Sequence, residues 1–373
     1  MKVRRAFKYR IYPTTAQAET LTWTLDRCRE LYNACLEERR EAYRMCGVSV
    51  SYYDQTRQLP EMKDVRPEYK QIGSQVLQDV TRRLDRAFGA FFRRVEEGVA
   101  GKKVGYPRFK SRYRYNSFTL SQAGWSLDKR LHVAGIGAFK VKWSRPIEGA
   151  IKTVTIKRDT DQWYVIFSCA VEIEPAPVQD KPAIGIDMGL EYYATLSDGT
   201  HIENPRYYRK AQETIAHRQR VMERRKKGGK NRGKAGVLVR KAHRTVANQR
   251  RDMQHKTARR IVDTYGAVAV EDLNIAGMVR NHCLAKSISD AAWGQFIAIL
   301  TSKAASAGCV VVAVNPRGTS ETCSGCGAKA DIPKTLGDRR HTCAACGLSI
   351  QRDHNAAINI LDRAGLARYA AGA

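Results

Sequence analysis

Two Cys-x-x-Cys pairs, Cys323-Ser-Gly-Cys326 and Cys343-Ala-Ala-Cys346, stand sixteen residues apart, each followed directly by a glycine, Gly327 or Gly347. Thiolates paired at this spacing are the donor set of a closed tetrahedral Zn²⁺ site. Four protein ligands leave no position for water, so this zinc folds a small ribbon and performs no chemistry; His341 is an alternative donor. A second constellation is acidic. In Ala183-Ile-Gly-Ile-Asp187-Met-Gly189, strand alternation puts Ile184 and Ile186 on one face and Ala183, Gly185 and Asp187 on the other. The small residues leave room around the acid. Ala267-Val-Ala-Val-Glu271-Asp272 repeats the pattern, and its alternation selects Glu271 over Asp272. Asp353 follows Arg352 at the opening of a final predicted helix, where it could meet the other two if that helix lies on the sheet. Singly, these acids read as strand-end turn residues and a helix N-cap. Together they make an oxygen donor set for Mg²⁺ or Mn²⁺ and for two-metal phosphodiester cleavage.

The three acids are 84 and 82 residues apart, so a fold must bring them together. Thr14 and Gln17 form a capping-box pattern, and Leu21, Leu25, Cys28, Tyr32 and Cys35 recur at helical spacing. Val76, Val80, Leu84, Phe88, Phe91 and Val95 predict a second amphipathic helix that packs on the first. From about Ser117 the period becomes two, most clearly from Trp163 to Ile173, which pairs with Ile151–Lys157 across an Asp159-Thr160-Asp161 turn. The Pro-rich stretch 174–182 marks a domain boundary. Beyond it, strands at 183–186, 193–196, 267–270 and 309–314 mix with helices at about 206–265, 290–307 and 354–366, an α/β core.

The chain of 373 residues carries 65 Lys plus Arg against 37 Asp plus Glu, a net charge of +28. Nucleic acid is the commonest neutraliser of such a charge. Residues 201–260 hold 20 Lys plus Arg against four acids, and within them Arg224, Arg225, Lys226 and Lys227 form a basic turn between two helices that could track a phosphate backbone. The near P-loop Gly228-x-x-x-x-Gly233-Lys234 has Ala235 where Ser or Thr must hold magnesium, and no strand precedes it. The longest apolar run, Cys309–Val314, is far short of the about twenty residues a bilayer requires, so no membrane partner is expected. Six scattered cysteines and no signal-like apolar core fit a reducing cytoplasm.

Four motifs, Gly185-Ile-Asp187-Met-Gly189, Val270-Glu271-Asp-Leu-Asn274, the paired cysteines and Arg352-Asp353-His-Asn-Ala-Ala-Ile-Asn359, resemble in order the nuclease half of TnpB proteins, transposon-encoded relatives of compact type V CRISPR effectors. Tyr9-Arg-Ile-Tyr-Pro13, Leu31-Tyr-Asn33, Gly105-Tyr-Pro-Arg-Phe109 and Ser287-Ile-Ser-Asp-Ala-Ala-Trp293 extend the likeness over almost the whole chain. The resemblance implies an α/β, RuvC-like RNase H fold over residues 181–373 with a zinc ribbon inserted at about 317–350. It implies a wedge-like β-barrel over 1–180, interrupted by a helical recognition insertion at about 14–100. Asp187, Glu271 and Asp353 would hold two Mg²⁺ ions, with zinc structural. The partners would be a guide RNA from the element's own end and double-stranded target DNA, in the nucleoid-bearing cytoplasm of a bacterium or archaeon. Tyr52, Gln78 and Thr119 match positions that contact the short motif flanking the target. Glu321, where the family often has Gln, is a departure that leaves the four cysteines intact. The resulting expectation is an RNA-guided DNA endonuclease. Two competing readings are an RNA-guided repressor that does not cut and a zinc-ribbon accessory protein of transposition.

Overall fold

Phe7, Tyr9 and Ile11 alternate with Lys8 and Arg10, and the backbone follows that period as a strand, β1 (Lys2–Tyr12), buried on its apolar side. This strand, not expected above, carries the same period-two signal as the later hairpin. The structure is a computed structural model describing residues 2–98, 104–172, 181–329 and 337–367. It divides into two compact units, Met1–Ile173 and Glu174–Ala373. Most of the Pro-rich stretch expected as a boundary lies outside the described residues.

In the first unit, α1 (Thr15–Cys46) starts under the anticipated capping box. Gln17 N donates to Thr14 Oγ1 at 3.3 Å, and Thr14 N donates to Gln17 Oε1 at 3.0 Å. Two short helices follow, α2 (Tyr52–Arg57) and α3 (Leu59–Val65), then α4 (Ser74–Glu96). α1 packs on α4, and Leu21, Leu25, Leu77 and Leu84 enter one core. Val95, expected on that buried face, is 50% exposed because the last turn of α4 runs past the core. The strands β2 (Ser117–Leu120), β3 (Trp125–Leu127), β4 (Leu131–Val133), β5 (Gly137–Lys142), β6 (Ala150–Asp159) and β7 (Gln162–Glu172) complete an antiparallel sheet ordered β2-β6-β7-β1-β5-β4-β3. Asp159 pairs with Gln162, which closes the β6–β7 hairpin through Thr160 at a left-handed φ of 60°.

The second unit begins with three antiparallel strands, β8 (Ala183–Met188), β9 (Tyr192–Leu196) and β10 (His201–Glu203). Helices α5 (Tyr207–Glu223) and α6 (Lys230–Thr264) lead to β11 (Ala267–Glu271). Then come α7 (Ile275–Met278), α8 (Ala285–Ala291), α9 (Trp293–Ala307) and β12 (Val310–Val314). A two-stranded ribbon, β13 (Arg340–Thr342) and β14 (Ser349–Gln351), precedes α10 (Arg352–Arg363). The main sheet runs β10-β9-β8-β11-β12, with β11 parallel to both β8 and β12. Ile184, Ile186, Val268 and Val270 pack one face against Ile261, Phe296 and Leu300 of α6 and α9. Ala269, Val314 and Ile360 seal the opposite face under α10. Helices thus cover both faces of the sheet, an α/β layering.

The helix expected at 290–307 begins instead at Trp293, because Ala292 turns left-handed (φ 53°) between α8 and α9. The fully buried Gln254 makes the break tenable: its Nε2 donates to the Ala291 and Ala292 carbonyls at 3.3 and 3.1 Å, and to the Tyr193 hydroxyl. Asp290 accepts from Tyr208 N at 3.1 Å and from Arg250 at 2.7 Å, which ties α8 to α5 and α6. The Ser287–Trp293 motif thus has a structural basis.

Candidate active site and metal centre

Register decides where the acids meet. Ile186 lies opposite Val270 in the parallel β8–β11 pair, so Asp187 and Glu271 are the next residues along adjacent strands. Asp353 arrives in the first turn of α10; the N-cap is Gln351, so Asp353 is not the capping residue. A carboxylate there sits at the positive end of the helix dipole, and Arg352 Nε holds Asp353 Oδ1 at 3.2 Å.

The small residues on the acid face make room for α10 rather than for the acid alone. A Cβ added to Gly185 would stand 2.1 Å from the Ala357 carbonyl oxygen and 2.9 Å from Leu361 Cβ. Only glycine lets the backbone of α10 approach the strand this closely. Gly185→Ala is therefore expected to cost at least about 1–3 kcal/mol of stability through overpacking. Its denaturation midpoint would drop, and the acid on α10 would move away from the sheet; an unchanged midpoint would refute this packing.

Burial and the neighbouring charges of Glu271 and Asp353 push the Asp187 carboxyl well above the ordinary carboxylate range. Burial also raises Glu271, against a hydrogen bond from Thr319 and the charge of Arg363. Three converging carboxylates without a cation thus favour retaining a proton. Among the described residues the carboxylates do not form a single tight cluster with every donor within 4.8 Å; only the four cysteines do. The linkage sign is opposite to that of an ion-paired carboxylate. The metal-free fold holds a proton that the unfolded chain has released, so this site's contribution to stability falls as pH rises through the window above the ordinary Asp range. Adding Mg²⁺ should reverse that fall and release protons, as titration calorimetry in buffers of different ionisation enthalpy would detect.

The four-cysteine cluster is tight. Cys323 and Cys346 Sγ are 3.7 Å apart and Cys326 and Cys343 Sγ 3.5 Å, with all four inside 4.8 Å. Thiolates about 2.3 Å from one Zn²⁺ form a tetrahedron of about 3.8 Å edge, so the four cysteines fit zinc. Gly327 and Gly347 both take φ 74°, the left-handed turn that closes each knuckle. The Cys346 backbone N–H beside Cys343 lowers that thiol to about 7. His341 is buried in β13 and is not in the cluster.

Asn355 and Asn359, four residues apart on one face of α10, explain much of the last motif. Asn355 accepts from Ser324 N at 2.9 Å and donates to the Thr322 carbonyl at 2.8 Å. Asn359 donates to the carbonyls of Thr319 and Thr322 at 2.8 and 2.7 Å. The Thr319 hydroxyl in turn donates to Glu271 Oε1 at 2.6 Å. Cysteine knuckle, helix and acid are thus one hydrogen-bonded series. Thr319, Asn355 and Asn359 are not among the site residues expected from the sequence; the i, i+4 spacing of the asparagines is the signal it offers.

Of the other residues expected at a site, Tyr52, Gln78 and Thr119 lie on α2, α4 and β2. Consecutive arginines of α4 connect two of them, Arg82 donating to the Tyr52 hydroxyl at 3.0 Å and Arg83 to Thr119 Oγ1 at 2.8 Å. Thr119 also meets Thr155 at 3.0 Å. Arg224, Arg225, Lys226 and Lys227 are exposed in the α5–α6 turn, which Arg232 closes by donating to the carbonyls of Met222 and Arg225 at 2.9 and 3.2 Å.

A protein of Streptomyces pristinaespiralis named "Putative RNA-guided DNA endonuclease" is 37% identical, over 100% of this chain and 92% of its own. The chain belongs to the TnpB family. A mimivirus TnpB-like protein, L79, is 26% identical over 95% of this chain and 72% of its own. Family models match residues 166–282 ("Probable transposase", OrfB of IS605), 293–360 (the Cas12f1-like TNB domain) and 1–47 (a helix-turn-helix domain). In this TnpB-family chain the last of these spans one strand and a single long helix rather than two helices joined by a turn. The solved structure of the mini-RNA-guided endonuclease CRISPR-Cas_phi3 shares the fold, at 11% identity and a TM-score of 0.50 over 100% of this chain and 94% of that one. No helix among the described residues is long and apolar enough to cross a membrane.

Proposed function

We propose that this chain is an RNA-guided DNA endonuclease that cuts target DNA beside a short flanking motif by two-metal phosphodiester hydrolysis. The observation that carries this reading is the arrival of Asp187, Glu271 and Asp353 at one end of an RNase H-type sheet, in a chain matched by TnpB-family relatives along its length. Two Mg²⁺ ions bound by these carboxylates would supply an activated water and neutralise the leaving oxygen. Thr319 orients Glu271, Arg352 orients Asp353, and the helix dipole offsets the crowding of negative charge. The intact acid set argues against a repressor that binds without cutting. It argues equally against an unguided accessory protein.

In this reading the guide RNA selects the sequence by base pairing, and the protein grips the hybrid by backbone and shape. The N-terminal unit acts as the wedge, with residues 14–100 as its recognition insertion. Tyr52, Gln78 and Thr119 read the flanking motif, and Arg224, Arg225, Lys226 and Lys227 contact phosphates. Replacing those four cations by glutamine should weaken nucleic-acid binding and flatten the log–log salt dependence by about 3. An unchanged slope would make the turn a solvated surface only. The reading as a whole is tested by whether protein made with its element's flanking DNA carries RNA and cuts a matching target.

A further inference from the structure

Two motifs of the N-terminal unit, Leu31-Tyr-Asn33 and Gly105-Tyr-Pro-Arg-Phe109, have no part in the chemistry above, yet the structure joins them. Asn33 on α1 donates to the Lys110 carbonyl at 3.1 Å and accepts from Lys110 N at 2.8 Å, pinning one end of the 104–110 loop. Arg94 donates to the Gly105 carbonyl at 3.2 Å at the other end, and Pro107 fixes φ between them. Tyr106 is further set by edge contacts with Phe88 and Phe91, at ring-centroid distances of 5.4 and 5.2 Å. The loop is thus held at several points, but Tyr106 and Phe109 remain 41% and 43% exposed. Arg40 lies 5.2 Å from the Phe109 ring.

These two rings border a groove of about 380 Å³ whose rim carries Arg94, Arg108, Lys110 and Arg114. No carboxylate lines it, and among the described residues none of the four cations is ion-paired with one. Exposed aromatic rings on a rigid loop, inside an uncompensated positive rim, are the parts of a single-strand binding site: a ring for the base and cations for the phosphates. We propose that this groove binds an unpaired nucleotide of single-stranded nucleic acid, its base stacked on Phe109 and its phosphates against Arg94, Arg108 and Arg114. The proposal rests on the nucleic-acid reading above and adds to it a specific site.

The test is equilibrium binding of the full chain to fluorescent 12-mers of oligo(U) and oligo(dT) and to a DNA duplex of equal length. Phe109→Ala should weaken both single strands about tenfold, the size of one lost base–aromatic stack, and leave the duplex within about twofold. Phe109→Tyr should restore the affinity and Phe109→Leu should not, since leucine keeps the apolar contact but has no π face. Equal weakening for the duplex, or wild-type affinity in Phe109→Leu, would overturn the proposal. Failure of the wild type to bind any of the probes would instead defeat the nucleic-acid reading itself. Repeating the oligo(dT) titration on RNA-loaded protein identifies the strand: a Phe109 effect that persists assigns the groove to DNA, and one that disappears assigns it to the RNA already bound.

Discussion

Asp187→Ala is expected to lower the rate of target cleavage by at least roughly 10³-fold, since ion-assisted charge stabilisation is worth several kcal/mol and each 1.4 kcal/mol is a factor of ten. Affinity for RNA and for target DNA should stay within about twofold, because in the proposed mechanism the lost group would hold cations rather than contact a phosphate. Asp187 is half-buried, and it bears desolvation together with the charges of both other carboxylates. Removing it also relieves that repulsion. The metal-free variant should therefore melt no lower than the parent, and above the Asp187 titration window somewhat higher. Lost cleavage together with an unchanged or raised melting temperature distinguishes a missing ligand from a broken fold. Retained cutting would exclude this metal site.

Cys323→Ser should have the second-largest effect, acting at a distance. Cys323 is buried, and the neighbouring Thr322 and Ser324 are the backbone groups that Asn355 and Asn359 hold. Binding free energies of about 10–16 kcal/mol for structural zinc in peptides mean that losing one thiolate collapses the knuckle rather than loosening it. Zinc content should fall from one per chain to near zero. The 319–324 segment should then lose its register on α10, and with it the Thr319 hydroxyl that orients Glu271. Cleavage should fall at least about tenfold and need more Mg²⁺. Asn355→Ala should keep its zinc and reproduce part of the cleavage defect, because it severs the same series beyond the metal. Zinc content unchanged in Cys323→Ser would contradict the four-cysteine assignment.

Much of this site is legible in the sequence because it is written in short periods. Alternation in Ala183–Met188 and Ala267–Glu271 selects the side of each strand that carries an acid, and the structure puts those sides under α10. The cysteine spacing specifies a ligand set before any fold is known. Three things stay hidden. The pairing of β8 with β11 is a long-range register that no local pattern encodes. The purpose of Gly185 emerges only once the backbone of α10 is seen against it. The break at Ala292 interrupts an otherwise continuous helical pattern, and the residue that satisfies its carbonyls, Gln254, lies thirty-eight residues earlier in the chain. β1 is a different case, since its alternation is present but its charged neighbours draw the eye to the basic composition.

The most direct test is target-DNA cleavage by protein co-expressed with its own genomic flank, assayed with and without Mg²⁺, before and after removal of co-purified RNA. Cutting beside a fixed flanking motif that requires both the metal and the RNA is the expected outcome. Tight RNA-dependent binding with no cutting at any Mg²⁺ concentration, or sequence-specific cutting by RNA-free protein, would contradict it.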